Sequence, residues 1–117
     1  MKTLHLGNVT VDRVQEWLGP LFEIANFFPS DDWATIERQR DWLEPHFLLP
    51  RNQMTQGFLN ASLHTFVVRT PHHNILIDTC AGNHKQRSIL PDWSMMNTDY
   101  LAKFSALGIT PEDQDRE

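Results

Sequence analysis

The sequence predicts an α/β (α+β) fold, in which a mixed β-sheet carries flanking helices. Three features predict it: a turn signal between two short alternating segments near the N-terminus, a β-branched and aromatic stretch that begins at Leu63, and an amphipathic helical pattern that begins at Asp99. The chain has 117 residues, of which 40% are hydrophobic and 21% charged. This composition is typical of a globular protein, and the length suits a single domain over residues 1–117.

The first predicted element is a β-hairpin. Leu4-His5-Leu6 and Val9-Thr10-Val11 alternate apolar and polar residues on either side of Gly7-Asn8, and both turn residues tolerate a positive φ. We expect the second strand to continue toward Trp17 and to end at Gly19-Pro20.

A helix is predicted next, followed by a loop. Ser30 is a suitable N-cap, and the two aspartates after it complement the positive end of a helix. Apolar residues then recur at roughly helical spacing up to Pro45: Trp33, Ile36 and Leu43. The proline and glycine content of residues 46–57 predicts a loop.

The clearest β signal lies in the middle of the chain. Residues 63–70 are rich in β-branched and aromatic side chains, residues 71–74 supply a turn, and Ile75-Leu76-Ile77 predicts a second strand. A strand that is apolar without interruption is typical of burial on both faces. We therefore expect this hairpin to lie inside a covered sheet.

The C-terminal region predicts a helix from about Asp99 to Leu107. Asn97 or Thr98 can cap it, and the residues that share its apolar face are Tyr100, Phe104 and Leu107. Gly108 suits the left-handed position after the helix, which would let Ile109 pack back on Phe104. Thr110 and Pro111 then predict the start of a further helix.

Charge and composition exclude several partners. The net charge of -5 argues against a nucleic acid, and neither a basic cluster nor a long apolar run indicates a membrane. Cys80 is the single cysteine, so no intrachain disulfide can form, and the first residues lack the apolar core of a signal peptide. These features predict a cytoplasmic protein.

The residue types that carry chemistry do not form a self-contained site. The six histidines contain neither the His-x-His nor the His-x-x-x-His spacing that brings zinc ligands together. Cys80 could act as a nucleophile with His84 as its base, although a lone cysteine after a buried strand is more often a small packing residue.

Asp78 has two interpretations on the residues alone. It directly follows the apolar strand, where a buried carboxylate is costly unless it accepts hydrogen bonds or faces a charge. It either caps the next loop by accepting backbone N–H groups of Cys80 or Ala81, or faces an active-site rim, as residues at strand ends do in α/β proteins.

The run from Asn74 to Arg87 resembles the first conserved motif of metallo-β-lactamase-fold hydrolases. Within that superfamily it is similar to the branch with lactonase-like and organophosphate-hydrolase-like members. Further segments agree in the expected order, so the resemblance covers nearly the whole chain: Val9–Trp17, Phe27-Phe28-Pro29, Trp42-Leu43 and Tyr100–Asp113.

The resemblance implies the N-terminal half of an αββα sandwich. In the complete family proteins, one or two metal ions, usually zinc, are held mainly by a His-x-His-x-Asp-His motif, and a metal-bound water attacks a small-molecule substrate. Asp78 matches an aspartate that supports the metal-holding loop without touching the metal. The residues implied at the rim of the active site are Thr79, Asn83, His84 and Lys85.

The sequence departs from the family after Pro111-Glu112-Asp113. The family continues into an apolar strand with the metal-binding motif, whereas this sequence continues Gln114-Asp115-Arg116-Glu117, so no metal ligand and no catalytic residue can be assigned. The resemblance therefore predicts a fragment of a zinc hydrolase for an ester, lactone or related bond, inactive alone. The alternative is a non-catalytic remnant that acts as an interaction or homodimerisation module, because half a sandwich leaves an apolar face and a sheet edge uncovered.

Overall fold

A computed structural model describes residues 2–23, 32–50 and 58–113 of the chain. Its strands are β1 (Leu4–Leu6), β2 (Val9–Glu23), β3 (Phe58–Arg69) and β4 (Asn74–Ile77), and its α-helices are α1 (Asp32–Arg38), α2 (Arg40–Leu43) and α3 (Tyr100–Ser105). Two short 3₁₀ turns cover Pro91–Trp93 and Pro111–Asp113. The strands form one four-stranded sheet in the order β1-β2-β3-β4. The predicted combination of a sheet with flanking helices is thus confirmed.

The chain divides into two compact units, one of Met1–Trp17 with Leu63–Glu117 and one of Leu18–Ser62. In the first unit, β1 and β2 form the predicted hairpin, with Leu6 paired to Val9 across the two-residue turn. Gly7 has a φ of 63°, which is the glycine-first arrangement of a tight hairpin turn. The end of β2 differs from the prediction, because the strand continues through Gly19 and Pro20 to Glu23. A proline is tolerated in a strand where its missing N–H takes no part in the ladder.

The second hairpin joins β3 and β4 as predicted, with Val67 paired to Leu76. Thr70 closes its turn, since Thr70 Oγ1 accepts the backbone N–H groups of His72 and His73 at 3.2 and 2.9 Å. β3 begins five residues before the predicted Leu63, because pairing within the sheet overrides the weak strand preference of Asn, Ala and Ser.

The expectation that β4 is buried on both faces is wrong. Ile75 and Ile77 are 44% and 53% exposed, whereas Leu76 packs against the core. Successive side chains of a strand point to opposite faces, and in the described residues only the face of Leu76 is covered by a helix. The continuous apolar run therefore overstates the burial that this chain provides.

The core of the first unit lies between the sheet and α3. Its buried residues are Val14, Val67, Phe104 and Ile109, with Leu76, Tyr100 and Leu107 packed around them. The helix ends at Ser105, two residues before the predicted Leu107, whereas Gly108 has the predicted left-handed backbone with a φ of 78° and Ile109 joins Phe104 in the core as predicted. At the other end Thr98 Oγ1 accepts the N–H of Tyr100, although the N-cap position itself belongs to Asp99.

The element after α3 is shorter than an α-helix. Pro111–Asp113 forms a 3₁₀ turn, in which the carboxylate of Asp113 accepts the backbone N–H and the hydroxyl of Thr110 at 2.7 and 3.0 Å. The predicted helix start is therefore a local turn within the described residues.

The second unit contains α1 and α2, which together replace the single predicted helix. The first of these helices ends before Gln39 and the second begins after it. The predicted N-cap Ser30 lies outside the described residues. Arg40 pairs with Glu37 and Glu44, and all three side chains are partly buried. The predicted loop contributes to packing, because Leu48 is buried and forms an isolated β-bridge with Leu59. Residues 51–57 of that loop lie outside the described part.

No α-helix in the described ranges is both long enough and apolar enough to span a membrane.

Candidate functional site

The candidate site is the loop that follows β4. Three non-glycine residues in it, Asp78, Cys80 and His84, have left-handed backbones with φ of 64°, 66° and 57°, and Gly82 has a φ of 83°. Such conformations cost about 1–3 kcal/mol for a non-glycine residue and persist only where surrounding contacts hold them. They cluster at functional sites in proteins, which makes this loop the strongest structural candidate in the described chain.

A buried carboxylate holds the loop in place. Glu16 on β2 is 5% exposed, and its two oxygens accept the backbone N–H groups of Ala81 and Gly82 at 2.8 and 2.9 Å. A carboxylate that accepts backbone N–H bonds makes charge-assisted contacts that are stronger than neutral ones. Sequence reasoning missed Glu16. The sequence signal that could have found Glu16 is its position two residues after the apolar Val14, because alternate residues of a strand point to the same face.

Asp78 adopts the loop-capping role. Its Oδ1 accepts the backbone N–H of Cys80 at 2.9 Å, and its side chain is exposed. This contact is the one expected from the loop-cap interpretation, and exposure removes the cost of burying the charge. The role of Asp78 beside a metal-holding loop stays a prediction.

Cys80 belongs to a polar cluster between the loop and α3. Thr65, which is fully buried, lies with its Oγ1 2.6 Å from Tyr100 Oη and 3.3 Å from Cys80 Sγ. Burial raises the pKa of the Cys80 thiol, and the negative charges of Glu16 and Asp78 raise it further against the opposing bond from Thr65. A thiol with a raised pKa is a poor nucleophile, so the cluster favours packing over catalysis for Cys80.

The four implied rim residues all lie on or beside this loop. Asn83 Oδ1 accepts the N–H of Thr98 at 3.0 Å and Asn83 Nδ2 donates to the Thr98 carbonyl at 3.1 Å, which ties the loop to the segment before α3. The backbone N–H of His84 donates to Met96, and the carbonyl of Lys85 accepts from Met95. Thr79 is exposed and lines a cleft together with Leu76 and Tyr100.

A hollow of about 210 Å³ opens next to the loop, and Asp78, Cys80, Arg87 and Trp93 line part of it. Arg87 is fixed there by a 2.6 Å bond from Nη2 to the carbonyl of Ala81. The hollow contains no pairing of a nucleophile with a base, since Cys80 Sγ contacts Thr65 and the His84 side chain is exposed. The loop is therefore well held but shows no catalytic constellation of its own.

A second polar network joins the sheet to the end of α3. Arg69 donates to Asp12 Oδ2 at 2.5 Å and to the carbonyl of Leu107 at 3.0 Å. Burial acts to raise the pKa of the Asp12 carboxyl, but hydrogen bonds from Thr3 and Arg69 and the guanidinium charge outweigh it and lower the pKa below its usual value. Sequence reasoning missed this pair as well, because its members are 57 residues apart.

Metal ligands do not converge in the described residues. No group of three or more His, Cys, Asp and Glu side chains there lies close enough to hold a metal ion. Residues 2–23, 32–50 and 58–113 therefore do not by themselves fit a metal centre.

Comparison with known proteins gives one informative similarity. No family model matches the sequence, and no curated protein sequence matches it. The fold is similar to the crystal structure of a probable metal-dependent hydrolase from Staphylococcus aureus, with a TM-score of 0.67 over 96% of this chain at 15% sequence identity. The chain spans 37% of the length of that protein. At this identity the similarity establishes a shared fold for that portion.

Proposed function

We propose that this chain corresponds to the N-terminal portion of a metal-dependent hydrolase of the metallo-β-lactamase superfamily, and that it supports catalysis without performing it. The observation that carries the proposal is the agreement in fold along 96% of this chain with only 37% of a probable metal-dependent hydrolase. The strained loop at Asp78–His84 adds support, because it lies where the sequence resembles the first motif of that superfamily.

In this proposal the chain contributes a scaffold. Glu16 fixes the backbone of Ala81 and Gly82, and Asp78 fixes Cys80, so the loop is held before any ligand arrives. Contacts of this kind orient the groups that hold a metal in a complete site. Since the described residues do not assemble a metal centre, we derive no catalytic step for this chain.

The complete protein would bind one or two zinc ions and hydrolyse an ester, lactone or related bond of a small molecule. That expectation comes from the lactonase-like and organophosphate-hydrolase-like resemblance of Asn74–Arg87. The assignment to the cytoplasm stays a prediction from the single cysteine.

The first test is to determine the coding sequence beyond the codon for Glu117 in all frames. We expect a His-x-His-x-Asp-His motif within reach of one strand, and its absence from every frame would contradict the proposal. The longer product is then assayed with lactone, ester, thioester, β-lactam and phosphotriester substrates with and without a chelator. Hydrolysis that a chelator does not reduce would also contradict it.

The role of Asp78 is tested in the same longer product. Asp78→Asn is expected to lower both the metal content and the chelator-sensitive activity by about 10–100-fold, the size of effect seen for groups that orient metal ligands. Asp92→Asn, at an exposed aspartate of the Pro91–Trp93 turn, is the matched control and should change neither. Equal effects of the two substitutions would show that Asp78 has no special role.

A further inference from the structure

Two buried hydrogen-bond donors belong to side chains that line the hollow beside the candidate loop. Arg87 Nε and Trp93 Nε1 are shielded from solvent, and no acceptor in residues 2–23, 32–50 and 58–113 bonds to either of them. Both side chains line the hollow of about 210 Å³. Buried polar atoms in native proteins nearly always have a hydrogen-bond partner. Two such donors at one hollow therefore point to an acceptor that a ligand supplies.

The guanidinium of Arg87 is fixed in place without an ion pair to neutralise it. Its Nη2 donates to the carbonyl of Ala81 at 2.6 Å, and the backbone N–H of Arg87 donates to Ser94 Oγ at 3.0 Å. No carboxylate in the described part of the chain forms an ion pair with it. A guanidinium presents several N–H donors in a planar fork that matches the geometry of a carboxylate. Arg87 is therefore suited to bind an acidic ligand.

Negative charges near the hollow limit the charge of that ligand. Asp78 lines the same hollow, where its carboxylate accepts the N–H of Cys80 at 2.9 Å. Glu16 adds a second carboxylate, which bonds to the backbone of the same loop at Ala81. Two negative charges beside one guanidinium disfavour a dianion such as phosphate, because like charges repel at short range. A monoanion is the better match.

The rest of the lining is apolar. Leu63, Ala81, Leu90 and the ring of Trp93 contribute it. Sites for small molecules typically combine apolar walls with a few polar groups that fix the orientation of the ligand. At roughly 20–30 Å³ for each non-hydrogen atom, the hollow holds a molecule of about seven to ten such atoms.

We propose that this hollow binds a small monocarboxylate with a short apolar body. The carboxylate accepts hydrogen bonds from the Arg87 guanidinium and the Trp93 indole, and the body packs against Leu63 and Leu90. Arg87 and Trp93 are both partly exposed, so a small rotation of each side chain brings its N–H to the ligand. For a ligand of this size we expect a dissociation constant of about 0.3–3 mM. The site needs no metal and stands independently of the hydrolase proposal.

The test is a titration of the isotope-labelled chain with sodium hexanoate to about 20 mM at constant ionic strength, followed by NMR. The indole N–H signal of Trp93, assigned with Trp93→Phe, should shift along a saturable curve, together with the amide signals of Ala81 and Leu90. Hexanamide, which has the same size but no charge, should bind at least ~10-fold more weakly. Inorganic phosphate should not shift these signals.

Two arginine substitutions give the matched comparison. Arg87→Gln should weaken hexanoate binding at least ~10-fold. Arg38→Gln removes the same charge from an exposed arginine of α1 that does not line the hollow, and should leave the dissociation constant within about twofold. If Arg87→Gln does not fold, the comparison of hexanoate with hexanamide on the unmodified chain decides.

Three results would overturn the proposal. The first is a titration with no saturable shift at these three signals, and the second is equal binding of hexanoate and hexanamide. The third is equal weakening by the two arginine substitutions. Phosphate that binds more tightly than hexanoate also overturns it, in favour of a phosphate site.

Discussion

Glu16 is the residue on which the conformation of the candidate loop depends most directly. Its buried carboxylate bonds to two consecutive N–H groups, those of Ala81 and Gly82, in a loop where Asp78 and Cys80 have left-handed backbones. Glu16→Gln preserves the shape of the side chain but replaces one acceptor oxygen with an NH₂ group. One of the two backbone N–H groups then faces another donor.

The magnitude follows from those two contacts. A hydrogen bond to a charged group contributes about 1.5–3 kcal/mol, and a buried donor left without a partner costs about 1–3 kcal/mol. Glu16→Gln weakens one bond and loses the other, so we expect the free energy of unfolding to fall by about 2–3 kcal/mol. Glu16→Ala, which removes both bonds, should lower it by about 3–5 kcal/mol.

Urea unfolding followed by tryptophan fluorescence measures these changes, and amide exchange at Ala81 and Gly82 shows whether the loss is local. Glu112→Gln is the control, because Glu112 is an exposed carboxylate in the turn Pro111–Asp113 and should change stability by less than about 0.5 kcal/mol. If Glu16→Gln matches the control and both loop amides keep their protection, the loop does not depend on this carboxylate.

Three further predictions follow from the polar networks. Thr65→Val removes the partner of Tyr100 Oη and should lower the free energy of unfolding by about 1–2 kcal/mol in urea; a neutral effect would refute the cluster. The pKa of the Asp12 carboxyl in the folded chain lies below the unfolded value of 3.8, so its contribution to the free energy of unfolding is present above about pH 4 and is lost as pH falls through the folded pKa. Asp12→Asn should therefore flatten the dependence of the free energy of unfolding on pH in that acid range, and an unchanged dependence would contradict the ion pair with Arg69. The Cys80 thiol, whose pKa is raised mainly by burial, should react with Ellman's reagent at pH 8 more slowly in the folded chain than in urea, and equal rates would show that it is accessible and unperturbed.

Local signals in the sequence predict the hairpins and the left-handed residue that follows α3. Gly7 has the backbone that its turn demands, and Gly108 directs Ile109 back onto Phe104, since each of these depends on neighbours within a few residues. The loop-cap contact of Asp78 with Cys80 was predictable for the same reason.

Contacts between distant parts of the chain were not predictable from one sequence. Glu16 meets Ala81 across 65 residues, so an acidic residue on an alternating strand gave no indication of its partner. The error at Ile75 and Ile77 has a related cause. A strand that is apolar throughout indicates that both of its faces are suited to burial, whereas their actual burial depends on which other elements pack against them.

A zinc titration of the 117-residue chain tests the central claim most directly, namely that these residues form the supporting part of a metal-dependent hydrolase fold without a metal centre. Isothermal calorimetry, with metal analysis after dialysis, measures the affinity and the stoichiometry. We predict no saturable binding tighter than about 10 μM, because the histidines and carboxylates in the described part of the chain do not provide three converging ligands. Binding of one or two zinc ions per chain with a dissociation constant below about 1 μM would contradict the account.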